Sequence, residues 1–267
     1  MTAANKQAPR PAATILLLRE AVAATEVFML QRTASAVFLP GAFVFPGGAL
    51  DPDDASERAA RRMRGLDDAQ ASARLGIPSG GLAYWVAAAR ECFEEAGILL
   101  ARDEKDAPVD PDRAASFEHL REPMNAGPIL FSDFLEKENL YIPAQEIAYY
   151  SHWITAPGRP RRFSTRFFVA CAPAGQQGAH DRSETVHSVW VSPREALERG
   201  QRKEITRFRF NEWIESLIQR GRNPGQAVPI VLTSHDTTEA RMRGALGRIA
   251  ALPAVLEPPR MIRIERS

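Results

Sequence analysis

The residues best suited to chemistry lie in one short run, Arg90-Glu91-Cys92-Phe93-Glu94-Glu95-Ala96-Gly97-Ile98. On a helix turning about 100° per residue, Glu91, Glu94 and Glu95 share one arc of about 100°. Leu82, Trp85, Val86, Ala89, Phe93 and Ala96 fall on the opposite side. A helix over 82–96 therefore packs on one face and presents three carboxylates on the other. Ala87 and Ala88, a turn earlier on the carboxylate side, leave room for a ligand. Like charges this close repel and raise one another's pKa unless a cation sits among them. A hard divalent ion, Mg2+ or Mn2+, takes oxygen ligands and shares its shell with substrate phosphates. Arg90 neutralises part of the remaining charge and can orient a neighbouring carboxylate. Gly97 stands where such a helix ends in a left-handed cap.

The elements around this run follow from its flanks. Residues 14–19 and 27–31 are apolar and strand-like, and the turn between them predicts a hairpin. Phe45-Pro46-Gly47-Gly48 follows a further strand-like run, and glycine there lets the backbone approach a ligand. Residues 51–81 turn to Asp, Arg, Ala and Gly with helix starts at Asp53 and Asp67, which predicts a helical surface insert. Beyond the carboxylate helix, the spacing predicts a short helix over 132–139 capped by Ser132. Strands at 146–154, 165–172 and 185–191 follow, then a helix over 193–199 led by Pro193. Residues 208–220 carry a helical stripe of Phe210, Trp213, Ile214 and Leu217, and 228–233 is strand-like. Arg159, Arg161, Arg162 and Arg166 form the densest basic cluster, and guanidinium groups suit phosphate recognition. Strand alternation would put Phe163, Thr165 and Phe167 on the core face and leave Arg162 and Arg166 free on the other.

Composition narrows the class. The chain has 267 residues with Lys+Arg 34 and Asp+Glu 33, a net charge of +1. Near-neutrality argues against bulk attraction to nucleic acid or an anionic membrane. Two cysteines, Cys92 and Cys171, make neither a disulfide framework nor a cysteine-rich zinc site and read as core residues of a protein in a reducing compartment. No apolar run reaches the ~20 residues of a membrane span, and neither end carries an evident targeting signal. The expectation is a soluble cytoplasmic protein, with a homodimer compatible but not specified.

Taken together, Gly48 and the run from Arg90 to Ile98 resemble the Nudix hydrolase box, G-x5-E-x7-R-E-U-x-E-E-x-G-U, with U a bulky apolar residue. The spacing departs from that pattern: Arg90 lies 42 positions beyond Gly48 (90 − 48), so the box is interrupted by an insert. The first glutamate of the box has no clear counterpart; Asp54 and Glu57 are its candidates. A split box, together with residues 38–51 (FLPGAFVFPGGALD), 153–168 (WITAPGRPRRFSTRFF) and 184–197 (ETVHSVWVSPREAL), resembles the peroxisomal coenzyme A diphosphatase branch and its bacterial relatives.

This resemblance implies an α/β fold, the α/β/α sandwich with a mixed sheet, for a domain over 14–220. The insert over 51–81 would lie outside the core and border the substrate site, and 221–267 would form an extension. It implies Mg2+- or Mn2+-dependent hydrolysis of a nucleoside-diphosphate-linked substrate, foremost coenzyme A or an acyl-coenzyme A. The expected products are phosphopantetheine, free or acylated, and adenosine 3′,5′-bisphosphate. ADP-ribose, dinucleotides and nucleotide sugars are alternative substrates, and a non-catalytic nucleotide sensor is an alternative role. By the same resemblance Glu91, Glu94 and Glu95 are metal and base carboxylates, the Gly48 carbonyl is a fourth metal ligand, and Arg90 is the orienting cation. Glu184 is either a further metal-binding or basic glutamate from a late loop or a surface residue. Arg159, Arg161, Arg162 and Arg166 would hold the substrate's phosphates.

Overall fold

The computed structural model describes residues 8–207 apart from 23, 37–39, 156–160, 182–183 and 203–205, and beyond them 216–219, 230–233, 243 and 246. The chain divides into two compact units, Met1–Phe208 and Arg209–Ser267.

In the first unit the apolar run near the start becomes β1 (Arg10–Glu20), with Ala13, Ile15 and Leu17 fully buried in alternation. It pairs antiparallel with β2 (Thr25–Arg32), Leu18 opposite Val27, as the hairpin reading requires. Next come β3 (Ala42–Val44) and β4 (Gly47–Ala49). β4 takes the edge of β1 that β2 has left, Ala13 lying opposite Gly48. A Cβ on Gly47 would sit 2.5 Å from the Ala13 carbonyl oxygen, so only glycine fits.

A 3-10 turn (Pro52–Ala55) leads to α1 (Glu57–Arg61), β5 (Met63–Arg64) and α2 (Asp68–Leu75). The carboxylate helix is α3 (Leu82–Ala96), closed by Gly97 at φ 66° as its sequence predicts. Three short helices follow, α4 (Pro111–Ser116), α5 (Arg121–Asn125) and α6 (Phe131–Lys137). Then come β6 (Ile142–Pro143), β7 (Ala148–Ile154), β8 (Phe163–Cys171), β9 (Thr185–Val191), α7 (Pro193–Gln201) and β10 (Thr206–Arg207). The main sheet is mixed: β8 runs parallel to β1, while β7 and β9 pair antiparallel with β8 and β2. Gly48, Ala13 and Arg166 consequently stand side by side on β4, β1 and β8.

Every residue of α3 except Tyr84 is buried. Trp85 meets Phe168 of the sheet edge-on at 4.8 Å and donates its indole N–H to the Ile147 carbonyl. Phe93 stacks on Phe134 at 5.6 Å on the side facing α6. Ala87 and Ala88 are fully buried, so they let the helix settle closely on its neighbours and do not open space for a ligand.

The structure departs from the sequence expectations at four places. The insert does not lie outside the core: Ala59, Met63, Leu66, Ala71 and Leu75 join the same apolar cluster as α3. β5 also pairs with β6, Met63 opposite Ile142. The α6 helix is capped in trans, with Asp53 accepting the N–H and hydroxyl of Ser132, which lies inside the helix. Cys171 is exposed at the end of β8, while Cys92 is buried and bonds the Ile98 carbonyl. Of the helix expected over 208–220, residues 208–215 and 220 lie outside the described residues. Ser216–Gln219 forms a strand, β11, paired with β12 (Ile230–Thr233). No helix among the described residues is long and apolar enough to cross a membrane.

The insert also starts the carboxylate helix. Gly81, the residue before α3, supplies no side-chain cap. Asp68 of α2 accepts the N–H groups of Leu82 and Gly80 at 2.9 Å each. These bonds hold its carboxyl below the usual aspartate range. A depressed aspartate stabilises the fold above its unfolded pKa, and that stability is lost as pH falls through the folded value. Asp68→Ala should therefore lower stability by about 1 kcal/mol at neutral pH. Thermal melts should show this difference closing as the acid limb is reached; a gap that persists in acid would contradict the capping role.

Candidate active site

The three glutamates are not a solvated acidic face. Glu91, Glu94 and Glu95 are 8%, 4% and 8% exposed, and Arg90 is 8% exposed. Arg90 lies 2.8 Å from a Glu94 oxygen and 3.0 Å from a Glu91 oxygen. Its Nε and Nη2 grip Asp54 at 2.9 and 3.1 Å, and Nη2 also reaches the Ala49 carbonyl. Asp54 is 2% exposed and closes a reciprocal cap with Asp51 in the 3-10 turn. Glu57, the other candidate for the first box position, is exposed and pairs with Arg61. Asp54 stands six positions after Gly48, where the box pattern puts its first glutamate. The insert therefore begins after Asp54, and counting forward from Gly48 was the signal that finds it.

Glu95 accepts the Gly47 amide at 2.9 Å. Glu91 faces Gly48 so closely that a Cβ there would lie 2.4 Å from its Oε1. Burial raises all three carboxyls above the ordinary glutamate range. Glu91 is pushed up to about 8, with the Glu94 and Asp54 charges adding to burial. In Glu95 the charge of Glu91 adds to burial. Burial pulls Arg90 down, yet Glu91, Asp54 and Glu94 together leave it more firmly charged than usual.

Two further charged residues lie within electrostatic reach of Glu95. Glu184 is exposed, accepts Arg32 Nη2 at 3.4 Å, and its charge is felt by Glu95. Arg32 sits where the pairing of β2 with β9 is interrupted by a bulge, a feature that re-aims side chains beside sites. Its Nε is buried with no hydrogen-bond partner, and its charge lowers Glu95. The sequence offered only a weak signal for Arg32, a cation ending an apolar strand run.

Among the described residues no three acidic, histidine or cysteine side chains converge as a ready metal cage; the glutamates turn onto Arg90 and the Gly47 amide instead. The donor chemistry nevertheless suits a hard divalent cation. Three buried carboxylates, Asp54, Glu91 and Glu94, pair with one buried guanidinium, and the buried Glu95 adds a fourth, an excess of negative charge in a low-dielectric place. The absent side chain of Gly48 leaves its backbone beside Glu91. Gly48→Ala should therefore displace Glu91 and lower turnover more than about tenfold. Gly47→Ala, which collides with backbone, should instead lower Tm and the yield of folded protein. Steady-state kinetics beside melts separates the two; unchanged kinetics in Gly48→Ala would contradict the close approach.

The arginine cluster does not gather as expected. Arg159 lies outside the described residues, Arg161 is exposed, and Arg162 donates to the Thr155 carbonyl. Arg166 is a correction. It points into the core with Phe168 and Ala170, while Phe163, Thr165 and Phe167 are only half-buried. Its Nη1 bonds the Leu75 carbonyl at the end of α2, and its guanidinium lies near the rings of Tyr84 and Tyr149. Alternation fixes which residues share a face but not which face is covered; α2 covers the arginine's.

Comparison with known proteins places these features. A family model described as the NUDT19 Nudix domain matches residues 59–208. The acyl-coenzyme A diphosphatase NUDT19 of Gallus gallus is 28% identical over 216 residues, 67% of this chain and 57% of that protein. The Homo sapiens protein of the same name is 28% identical over 215 residues, 67% of this chain and 56% of that protein. The chain thus spans little more than half the length of these relatives. Among solved structures, a Nudix hydrolase from Alicyclobacillus acidocaldarius is 29% identical with a TM-score of 0.60, covering 74% of this chain and 86% of that one.

Proposed function

The chain belongs to the NUDT19 Nudix domain family, and from that premise we propose that it hydrolyses the diphosphate bridge of coenzyme A or an acyl-coenzyme A. The observation that carries the reading is the buried, over-charged carboxylate set of α3, braced by Arg90 and Asp54 against the glycine turn. A structural helix face has no reason to bury three glutamates and one arginine, because each costs desolvation free energy. An acyl-coenzyme A diphosphatase activity is named for the relatives, and the intact glutamates weigh against a binding-only role.

Glu91, Glu94, Glu95 and the Gly48 carbonyl would hold Mg2+ or Mn2+. The ion would supply charge neutralisation at the phosphoryl oxygens and Lewis acidity. Arg90 keeps Glu91 and Glu94 at fixed positions, and the Gly47 amide does the same for Glu95. A water oxygen forms a bond to one phosphorus as the bridging P–O bond breaks. A carboxylate of the set takes the water proton, and the second phosphate leaves as the anion. Arg161, exposed at the entry to β8, would meet the 3′-phosphate of the adenosine moiety. Two unpaired cysteines suit a reducing compartment such as the cytoplasm.

A substrate panel tests the reading. Coenzyme A, an acyl-coenzyme A, dephospho-coenzyme A, ADP-ribose and a dinucleotide are each incubated with Mg2+ or Mn2+. The expected order has coenzyme A and its thioester first, with dephospho-coenzyme A weaker by a factor that shrinks in Arg161→Ala. Preference for ADP-ribose or a dinucleotide would keep the chemistry and overturn the substrate. Turnover of none would favour a sensor.

A further inference from the structure

The C-terminal end of α3 is held by a residue outside the box. Arg121, at the start of α5, is 4% exposed. Its Nε donates to the Glu94 carbonyl at 3.1 Å and its Nη2 to the Ala179 carbonyl at 2.8 Å. Its Nη1 meets Glu118 at 2.6 Å. The last carbonyls of a helix have no partner within it, and a cation there also complements the helix dipole. A second bond comes from the same direction, Ala179 N–H to the Ala96 carbonyl at 2.8 Å. Gly97 belongs to this arrangement: a Cβ on it would lie 3.0 Å from the Arg121 guanidinium.

Ala179 stands two positions before Asp181 and five before Glu184. Asp181 accepts the amides of Glu184 and Thr185 and the Thr185 hydroxyl, at 3.1, 2.9 and 2.7 Å. The Glu184 carbonyl accepts the Thr33 amide, and its carboxylate meets Arg32. One planar fork thus ties the backbone of Glu94 to that of Ala179, its two arms bonding carbonyls 85 positions apart (179 − 94).

Resting on the diphosphatase reading above, we propose that Arg121 is a positioning residue that fixes Glu184 relative to the carboxylates of α3, so that the late-loop glutamate works as part of the same site. Lysine keeps the charge but has no fork and reaches one carbonyl at a time. Arg121→Lys should lower kcat roughly tenfold with KM nearly unchanged, the mark of misplacement rather than lost binding. Hydrogen exchange of the Ala179, Glu184 and Thr185 amides should speed up in the same variant. In a double-mutant cycle, Glu184→Gln should cost roughly tenfold in the parent and less than about twofold in Arg121→Lys.

Asp181→Asn loosens the other end of the link and should reproduce the kcat loss and the non-additivity, which keeps the test open if Arg121→Lys folds poorly. Additive losses, a Glu184→Gln variant with full activity, or an Asp181→Asn variant with unchanged kcat would each overturn the proposal. Unchanged exchange in a folded Arg121→Lys would overturn it too. A parent protein inactive on every diphosphate would instead speak against the diphosphatase reading. The exchange experiment would still decide whether Arg121 holds the segment.

Discussion

Glu91→Gln should lower kcat by at least about 10²-fold while leaving Tm unchanged or raised. The two effects have one cause. Glu91 is 8% exposed, 3.0 Å from Arg90 and crowded by Glu94 and Asp54. Glutamine fills the same volume and keeps an oxygen for the Arg90 hydrogen bond. It removes a carboxyl whose charged form burial disfavours, pushing it up to about 8. A residue kept at the expense of stability is expected where function needs it. Kinetics with a saturating divalent ion, paired with melts in chelator, reads both quantities. Near-parental turnover, or a Tm several degrees lower, would make Glu91 a structural residue.

Arg90→Met should be the most damaging change to the fold, costing roughly 3–5 kcal/mol, because breaking a buried pair from one side leaves its partners uncompensated. Asp54 has no exposed side-chain surface and Glu94 only 5%. Neither can turn to water without dismantling the 3-10 turn or the helix. Replacing both members should cost much less than replacing one, so Arg90→Met combined with Asp54→Leu should recover part of the lost stability. Urea unfolding of the two single variants and the double supplies the cycle. Additive losses would mean that Asp54 and Arg90 do not act as a pair.

What the sequence shows and what it hides divides along chain distance. The α3 helix was legible because everything that makes it is local: the apolar stripe, the carboxylate arc and Gly97 at its end. The β1–β2 hairpin and the strands β7 to β9 were legible for the same reason. Asp54 was half-legible, since its distance from Gly48 marks it but a shorter acid and an interrupting insert disguise it. The role of the insert was not. Its buried residues, Ala59, Met63, Leu66, Ala71 and Leu75, are scattered among charged ones and find partners only in distant elements. Arg166 shows a different limit: the period of the strand was right, but two phenylalanines drew the core to the wrong face. Arg32, Arg121 and the Asp53 cap of α6 are set by contacts that no spacing encodes.

Whether the buried carboxylates of α3 cleave a diphosphate can be read from the products of coenzyme A. The experiment is mass spectrometry of coenzyme A incubated with the protein and Mg2+ or Mn2+. Adenosine 3′,5′-bisphosphate and phosphopantetheine are expected in equal amounts, only with the metal present, and neither above background in Glu91→Gln. Products that form equally well in Glu91→Gln, or coenzyme A that stays intact with the parent protein under both metals, would contradict cleavage by these carboxylates.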